Sequence, residues 1–229
     1  MLQVDGVPLL ERILDQVLQL TAGEVVVVTG YRAEQVEQLV ANRYAGRVSR
    51  IHNPRFQQDT NILSVALGVK RLARPDLGYT IIETDLLIES VGWESIFDGH
   101  RGDDSFWVTH GKYGPDLTGG IVHLGADGWI DAIDYRPDHD PVFDGWAKML
   151  GILSVSAECV AHDVELREQA MEVSIQQYYL TPWIDHLGRL PCRALDLEGC
   201  LARSFNTPES FSVACRAFLA AARPAPTCG

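Results

Sequence analysis

Residues 24–30 (EVVVVTG) constrain the fold of this chain more than any other stretch. Four consecutive valines lie between two glycines, without the alternation of polar and apolar residues that a half-exposed strand shows. Such a continuous apolar run is typical of a strand that is covered on both faces in a parallel sheet. The covering layers are expected to be helices, which predicts an α/β protein.

Helical and extended patterns alternate on both sides of this strand. Residues 8–20 (PLLERILDQVLQL) carry a broad apolar stripe at helical spacing, and residues 32–44 carry a second one. Residues 48–53 predict a short strand, residues 60–72 a third helix, and residues 78–85 (GYTIIETD) a second apolar strand. This order predicts βαβ units and a doubly wound, mostly parallel, Rossmann-like sheet.

The second half of the chain has a more mixed pattern. Residues 105–150 predict a small mixed β insertion, which includes a hairpin that turns at Asp127–Gly128. Residues 156–187 predict mostly helix, and a last strand and a closing helix follow. No linker composition interrupts the chain, so we expect a single domain over residues 1–222 and a frayed tail over residues 223–229.

The charge balance excludes one large class of partners. Lys and Arg total 19 against 31 Asp and Glu, which gives a formal net charge of −12, and only three of the basic residues are lysines. A nucleic-acid-binding surface needs clustered positive charge, so no nucleic-acid partner is expected. An acidic chain is compatible with a site that holds a divalent cation between carboxylates.

Cysteine usage and hydropathy bear on the compartment. The 5 cysteines form no CxxC pair, so they predict neither a zinc site nor a disulfide framework. No stretch approaches the ~20 apolar residues of a transmembrane helix. The charged side chains within residues 1–20 exclude the apolar core of a signal peptide. We therefore expect a cytoplasmic protein without a membrane partner.

Ligands of an open parallel sheet bind at the carboxyl ends of its strands, and the first candidate there is Asp85. This residue ends the strand predicted for residues 78–85. Its carboxylate is suited to Mg²⁺, and it is equally suited to capping the turn that follows. Glu83 and Thr84, in the same segment, are less favoured as ligands.

The next candidates lie at the starts of helices. Thr60 and Asn61 begin the third helix, where free backbone N–H groups favour anions and small polar side chains can contact a base or a sugar. Asn206 precedes the closing helix and offers an amide oxygen to a metal ion. For all three residues, N-capping of the helix is the more common role, and Thr207 is an alternative cap of the closing helix.

Lys148 is a further candidate because lysines are so scarce. It precedes the apolar segment MLGIL, where a lone cation near an acidic site is suited to a phosphate or a substrate acid. The alternative is a surface lysine beside Asp144. Asp138, His139 and Asp140 form a weak metal-ligand pattern, because adjacent loop side chains point in different directions. The sequence contains no GxSxG, GxGxxG or GxxxxGK[ST] motif.

Four segments together resemble the nucleoside-triphosphate transferases, which include the MobA-like and sugar-nucleotide pyrophosphorylase families. Residues 4–39 (VDGVPLLERILDQVLQLTAGEVVVVTGYRAEQVEQL) resemble the second segment of these enzymes, where a GKPLLE turn and helix precede a VVVVTGY strand. Residues 53–69 (NPRFQQDTNILSVALGV) are most similar to the phosphocholine cytidylyltransferase branch. Residues 80–90 (TIIETDLLIES) resemble the strand whose aspartate binds Mg²⁺, and residues 205–211 (FNTPESF) resemble the closing motif that helps to hold the metal.

The resemblance implies a nucleotidyltransferase that moves a nucleoside monophosphate, CMP from CTP, to a small phosphorylated or phosphonate acceptor and releases pyrophosphate. It implies that Asp85 and Asn206 hold Mg²⁺ and that Thr60 and Asn61 lie near the nucleotide. Lys148 then becomes a catalytic residue that contacts the substrate. A homodimer is compatible with the resemblance.

The sequence departs from the family pattern in three ways. The family's N-terminal strand, Gly-rich loop and Pro-Lys pair do not occur, and Val7 stands where the family often has Lys. We expect the lack of that strand to leave unpaired backbone groups on its neighbours, unless the start codon lies further upstream. Asn206 replaces the acid that is typical of the cytidylyltransferases.

Two other functions therefore stay open. The first is a non-catalytic nucleotide-binding or regulatory relative that has lost the phosphate loop. The second is a nucleotide-sugar glycosyltransferase, in which Asp85 would belong to a motif related to DxD.

Overall fold

Helices and strands alternate through the first half of the chain, as the valine-rich segment predicts. The structure is a computed structural model that describes residues 1–100 and 102–221. The strands are β1 (Gln3–Val4), β2 (Val7–Pro8), β3 (Val25–Thr29), β4 (Val48–His52), β5 (Tyr79–Ile82), β6 (Leu86–Ile88), β7 (Ser105–Lys112), β8 (Gly119–Leu124), β9 (Ile130–Arg136), β10 (Ala147–Val155), β11 (Cys192–Asp196) and β12 (Ala202–Ser204). The helices are α1 (Leu9–Leu20), α2 (Ala33–Arg43), α3 (Ile62–Arg71), α4 (Ser90–Gly99), α5 (Val160–Val173), α6 (Thr181–Ile184) and α7 (Pro208–Ala221). Within the described ranges, none of these helices has the length and apolar character needed to cross a membrane.

Strand β10 organises the main sheet, whose strand order is β11–β7–β10–β8–β9. One edge of β10 pairs antiparallel with β7. The other edge pairs antiparallel with β8 at Ala147 and Lys148, and with β5 from Ile152 to Val155. These two neighbours leave residues 149–151 between them. The residue that follows β5 therefore reaches β10 in this interval, close to Lys148.

Parallel and antiparallel pairs are combined in the molecule. Strand β11 pairs parallel with β7, and β3 pairs parallel with β4 over five residues. The antiparallel pairs centre on β10 and on the β8–β9 hairpin. The predicted turn at Asp127–Gly128 is confirmed, with Gly128 at φ +80°. The α/β, Rossmann-like class is confirmed, and its sheet is mixed.

Strand β3 is less deeply buried than its apolar sequence predicts. Helix α3 lies against it, since Gly68 is next to the Val28 side chain, and Val25 packs against the core cluster that contains Ile13 and Val17 of α1. All four valines are nevertheless only half-buried. In the part of the chain that the structure describes, β4 is the only strand that pairs with β3, and β10 is the only one that pairs with β5.

A buried polar network holds α5 and α6 against β5. Asp163 is fully buried, accepts a hydrogen bond from Trp183 Nε1 at 2.9 Å, and contacts both Tyr79 and Arg167. Arg167 Nη2 also donates to the Tyr79 hydroxyl at 3.0 Å. A buried ion pair of this kind adds little net stability when it is intact, but the loss of one partner leaves a costly unpaired charge.

Three segments differ from the sequence prediction. Residues 3–8 form the β1–β2 hairpin, which was not predicted and which turns at Asp5 and Gly6 with φ of 51° and 73°. Helix α4 was not predicted, because Gly92 and Gly99 weaken its helical pattern. Residues 156–187 contain only α5 and the four-residue α6, because Ser174 takes an extended backbone conformation and the bent segment after it bonds to the start of α3. The predicted tail, residues 223–229, lies outside the described residues.

Candidate active site

Glu83 marks the place where the end of β5 meets β10. Its backbone N–H donates to the carbonyl of Gly151 at 3.0 Å, and its side chain lies over that glycine. Burial and the nearby charge of Asp85 raise the pKa of Glu83 to about 7, while Lys148 and Asn61 act in the opposite direction. The sequence alone favours Asp85 over Glu83 as a ligand. The available signal was that residues 83 and 85 are two apart, so their side chains share one side of an extended segment.

Asn61 links α3 to this carboxylate. Its Nδ2 donates to Glu83 Oε1 at 3.1 Å, and its Oδ1 accepts from the backbone N–H of Tyr179 at 2.8 Å. The expectation that the Thr60 or Asn61 side chain caps α3 is therefore wrong. Asp59 supplies the cap, accepting from the N–H groups of Leu63 at 3.0 Å and Ser64 at 2.8 Å.

The position of Asp59 also changes what this helix end offers to a ligand. Its carboxylate already occupies two of the free backbone N–H groups that we expected to attract an anion. Thr60 is exposed and donates its backbone N–H to Ile175 at 3.2 Å. Thr60 thus lies at the rim of the cluster, whereas Asn61 lies within it.

Lys148 lies in β10, close to the same carboxylates. Its Nζ donates to the carbonyl of Met149 at 2.6 Å, and the side chain is largely buried. Burial lowers the pKa of Lys148 to about 8, against the raising effect of Glu83 and Asp85. The alternative of a surface lysine beside Asp144 is wrong, because Asp144 accepts instead from His139 Nε2 at 2.8 Å.

Asp85 and Asn206 are neighbours through the backbone. The carbonyl of Asp85 accepts from the N–H of Phe205 at 3.2 Å, and the β6–β12 pair continues from this point. Burial raises the pKa of Asp85, and Lys148 opposes this shift. Thr207 caps α7, since its Oγ1 accepts from Ser210 N–H at 3.1 Å. The capping role that was open for Asn206 therefore belongs to Thr207.

Two tyrosines that the sequence analysis missed complete the wall beside Lys148. The hydroxyl of Tyr135 donates to that of Tyr178 at 2.8 Å, and their ring centroids are 4.4 Å apart. Gly119 lies next to both Tyr135 and Lys148, because a Cβ at this position would be 4.0 Å from the Tyr135 ring and 3.5 Å from Lys148 Nζ. Pattern reasoning could not join these residues, since they come from β8, β9, β10 and the segment after α5.

The donor set suits Mg²⁺ better than a metal that needs a complete protein cage. In the described part of the chain, no group of three or more His, Cys, Asp and Glu residues could hold a metal ion. Mg²⁺ commonly takes one or two carboxylates and obtains its other ligands from water and substrate phosphates. Asp85 and Asn206 carry oxygen donors of this kind, and the backbone bond between Asp85 and Phe205 brings the two residues near each other. The weak metal-ligand pattern at Asp138–Asp140 makes loop contacts instead. The Asp140 carboxylate, for example, accepts a hydrogen bond from Val142 N–H.

Solved structures share this arrangement of strands and helices. The CTP:phosphocholine cytidylyltransferase LicC from Streptococcus pneumoniae matches with a TM-score of 0.77 and 16% identity, over 94% of this chain and 87% of that chain. HddC from Yersinia pseudotuberculosis matches with a TM-score of 0.66 and 13% identity, over 95% and 88%. The inositol-1-phosphate CTP transferase from T. maritima matches with a TM-score of 0.71 and 11% identity, over 93% and 84%.

The chain has the fold of these proteins. No protein-family model and no curated protein matches its sequence. The likeness therefore identifies the architecture around Asp85 and Lys148, whereas the chemistry depends on the residues of the site.

Proposed function

We propose that this protein is a Mg²⁺-dependent nucleotidyltransferase that moves a nucleoside monophosphate to a small phosphate- or phosphonate-bearing acceptor. The observation that carries the proposal is the convergence of Asp85, Asn206, Glu83 and Lys148 at the end of β5, within this fold. CTP is the proposed donor because two of the similar structures are named for reactions of CTP. Neither nucleic acid nor a membrane takes part.

The proposed reaction is a displacement at phosphorus. An oxygen of the acceptor's phosphate or phosphonate forms a bond to the α-phosphorus of the nucleotide. The bond from the α-phosphorus to the oxygen that bridges to the β-phosphorus breaks, and pyrophosphate leaves with the electron pair. Asp85 and Asn206 are the residues that would hold Mg²⁺, which when bound neutralises phosphate charge.

Lys148 binds and orients the acceptor in this proposal. Lys148 is protonated, and therefore positively charged, in most molecules at pH 7, because its pKa is about 8. A largely buried cation attracts a phosphate oxygen more strongly than an exposed one, since less water screens the interaction. Thr60 and Asn61 are assigned to the nucleotide side, where the Thr60 hydroxyl and the remaining Asn61 amide hydrogen are available.

The test is a transfer assay with each [α-³²P]NTP and Mg²⁺, using phosphocholine, aminoethylphosphonate and sugar phosphates as acceptors. We expect labelled product and pyrophosphate with CTP. The Asp85→Asn variant should lower the rate by more than about tenfold and raise the Mg²⁺ concentration needed for half-maximal activity. Asp185→Asn, a change of the same kind on the surface, is the matched control and should leave both values unchanged.

Two outcomes would contradict the proposal. Calorimetric binding of an NTP without transfer to any acceptor would favour the non-catalytic relative. Transfer or hydrolysis of a nucleotide-sugar, without pyrophosphate release, would favour the glycosyltransferase.

A further inference from the structure

Four segments of the candidate site meet at the Glu83 carboxylate. Glu83 follows β5, its side chain lies over Gly151 of β10, and its Oε1 accepts from Asn61 Nδ2 at 3.1 Å. Asn61 in turn accepts from the backbone N–H of Tyr179 at 2.8 Å, which ties residues 174–179 to the same carboxylate. The Glu83 and Asn61 side chains together thus connect the end of β5, the start of α3, the middle of β10 and the chain after α5.

Gly151 is adapted to this carboxylate. Its φ is +74°, in a region that residues with a side chain rarely adopt. A Cβ built at residue 151 would lie 2.8 Å from Glu83 Cδ and 3.2 Å from Glu83 Cβ, so a methyl group could not coexist with the carboxylate in its present place. The register between β10 and β7 also shifts between Met149 and Leu153. Strand β10 is therefore irregular where Glu83 lies on it.

Lys148 lies in the same irregular part of β10. Its Nζ is held by the carbonyl of Met149, two residues before the glycine over which the Glu83 side chain lies. In the described residues, no hydrogen bond or ion pair joins Lys148 to Glu83. Glu83 thus positions the segments beside the proposed acceptor-binding cation without occupying its contact with a substrate.

We propose that Glu83 is a positioning residue of this site. Its carboxylate holds Asn61 and residues 174–179 against β10, close to Lys148, and it contacts neither the transferred group nor the metal ion. The kinetic part of this inference rests on the proposed function, whereas the structural part stands on the contacts alone. Thermal stability tests the structural part, and steady-state kinetics test the other.

A double-mutant cycle on thermal stability tests the contact with Gly151. Gly199 is a matched control, because its φ is +85° and a Cβ there would meet nothing within 4 Å. We expect Gly151→Ala to lower Tm by at least about 4 °C more than Gly199→Ala. In a Glu83→Ala background, the effect of Gly151→Ala should shrink toward that of Gly199→Ala, and the remainder should reflect the Cβ of residue 83, which lies 3.2 Å from the new methyl group. An equal cost of Gly151→Ala in both backgrounds would overturn the proposed contact.

Steady-state kinetics test the positioning role. Glu83→Ala removes the bond to Asn61 and the charge, and we expect kcat to fall about 10–100-fold and the acceptor KM to rise. Glu83→Gln keeps an oxygen for Asn61 and should recover part of kcat. The Mg²⁺ dependence should stay unchanged in both variants, unlike that of Asp85→Asn. Glu172→Gln, on the exposed face of α5, is the control.

Two kinetic results would overturn the proposal. A raised Mg²⁺ requirement in Glu83→Gln would make Glu83 a metal ligand. A loss of kcat in proportion to a loss of folded protein, with an unchanged acceptor KM and no recovery in Glu83→Gln, would make its role purely structural.

If the wild-type chain transfers no nucleotide, the proposed function fails, and the thermal cycle still decides whether Glu83 holds its place over Gly151.

Discussion

At the scale of single residues, Lys148 is the clearest case of a charged side chain that the fold keeps largely away from water. A largely buried ammonium group loses hydration, which lowers the pKa of Lys148 to about 8. The negative charges of Glu83 and Asp85 offset part of that loss and raise the pKa of Lys148. The hydrogen bond of the Nζ atom nevertheless goes to the carbonyl of Met149. The cation is thus available to an anion that enters beside it.

The buried position of Lys148 predicts a pH dependence of stability. Between its folded pKa of about 8 and its ordinary value of 10.5, the unfolded chain binds more protons at this residue, so folding stability rises with pH. Wild-type protein should therefore gain up to about 3 kcal/mol of unfolding free energy relative to Lys148→Met between pH 8 and 10.5. Urea unfolding at a series of pH values measures this difference. The unfolding free energy of Lys112→Met, which changes an exposed lysine, should vary with pH in the same way as that of the wild type. The same pH dependence in Lys148→Met as in the wild type would contradict the prediction.

Individual site residues could be predicted where one strand or helix end determines their place. Asp85 was predicted because it ends the apolar segment of residues 78–85, and Asn206 was predicted because it precedes the closing helix; the backbone bond between Asp85 and Phe205 shows that the two lie together. Glu83 was underrated because its place depends on Gly151, which no local pattern connects to β5. The roles of these residues in catalysis stay predictions until the transfer assay is made.

At the scale of elements, the start of α3 depends on a single carboxylate. Asp59 accepts from the N–H groups of Leu63 and Ser64, from the Ser64 hydroxyl at 2.8 Å, and from Asn53 Nδ2 at 2.9 Å. The sequence analysis placed this role one or two residues later, because Thr60 and Asn61 are also common caps. Asp59, Thr60 and Asn61 are all common N-caps, so cap propensity does not distinguish them. The Asn61 side chain is instead engaged by tertiary contacts, which leaves the cap to Asp59.

Loss of the Asp59 cap should therefore weaken the whole first half of the fold. We expect Asp59→Ala to lower the unfolding free energy by about 1–2 kcal/mol, the usual cost of removing an N-cap. The midpoint of urea unfolding measures this change, with Asp185→Ala as the surface control. A shift of the Asp59→Ala midpoint no larger than that of the control would show that other groups satisfy the start of α3.

At the scale of the whole molecule, the alternation of helices and strands was predictable because it is a local property of the sequence. The centre of the sheet was not predictable. Strand β10 pairs with β7 along one edge and with both β5 and β8 along the other. Which strands become neighbours depends on contacts between distant segments, and an apolar strand such as β10 or β3 carries no mark of its partners.

This unequal pairing predicts unequal local stability. Strand β10 has partners on both edges, whereas in the described part of the chain β3 pairs with β4 alone and keeps its valines half-buried. Two strands without further pairing are marginally stable, and packing by α1 and α3 offsets this only in part. We expect amides of β10 to exchange with solvent only on global unfolding, and amides of β3 to exchange about tenfold faster or more through local opening. Hydrogen-exchange mass spectrometry with increasing urea measures both rates, and equal protection of the two strands would show that β3 and the main sheet open as one cooperative unit.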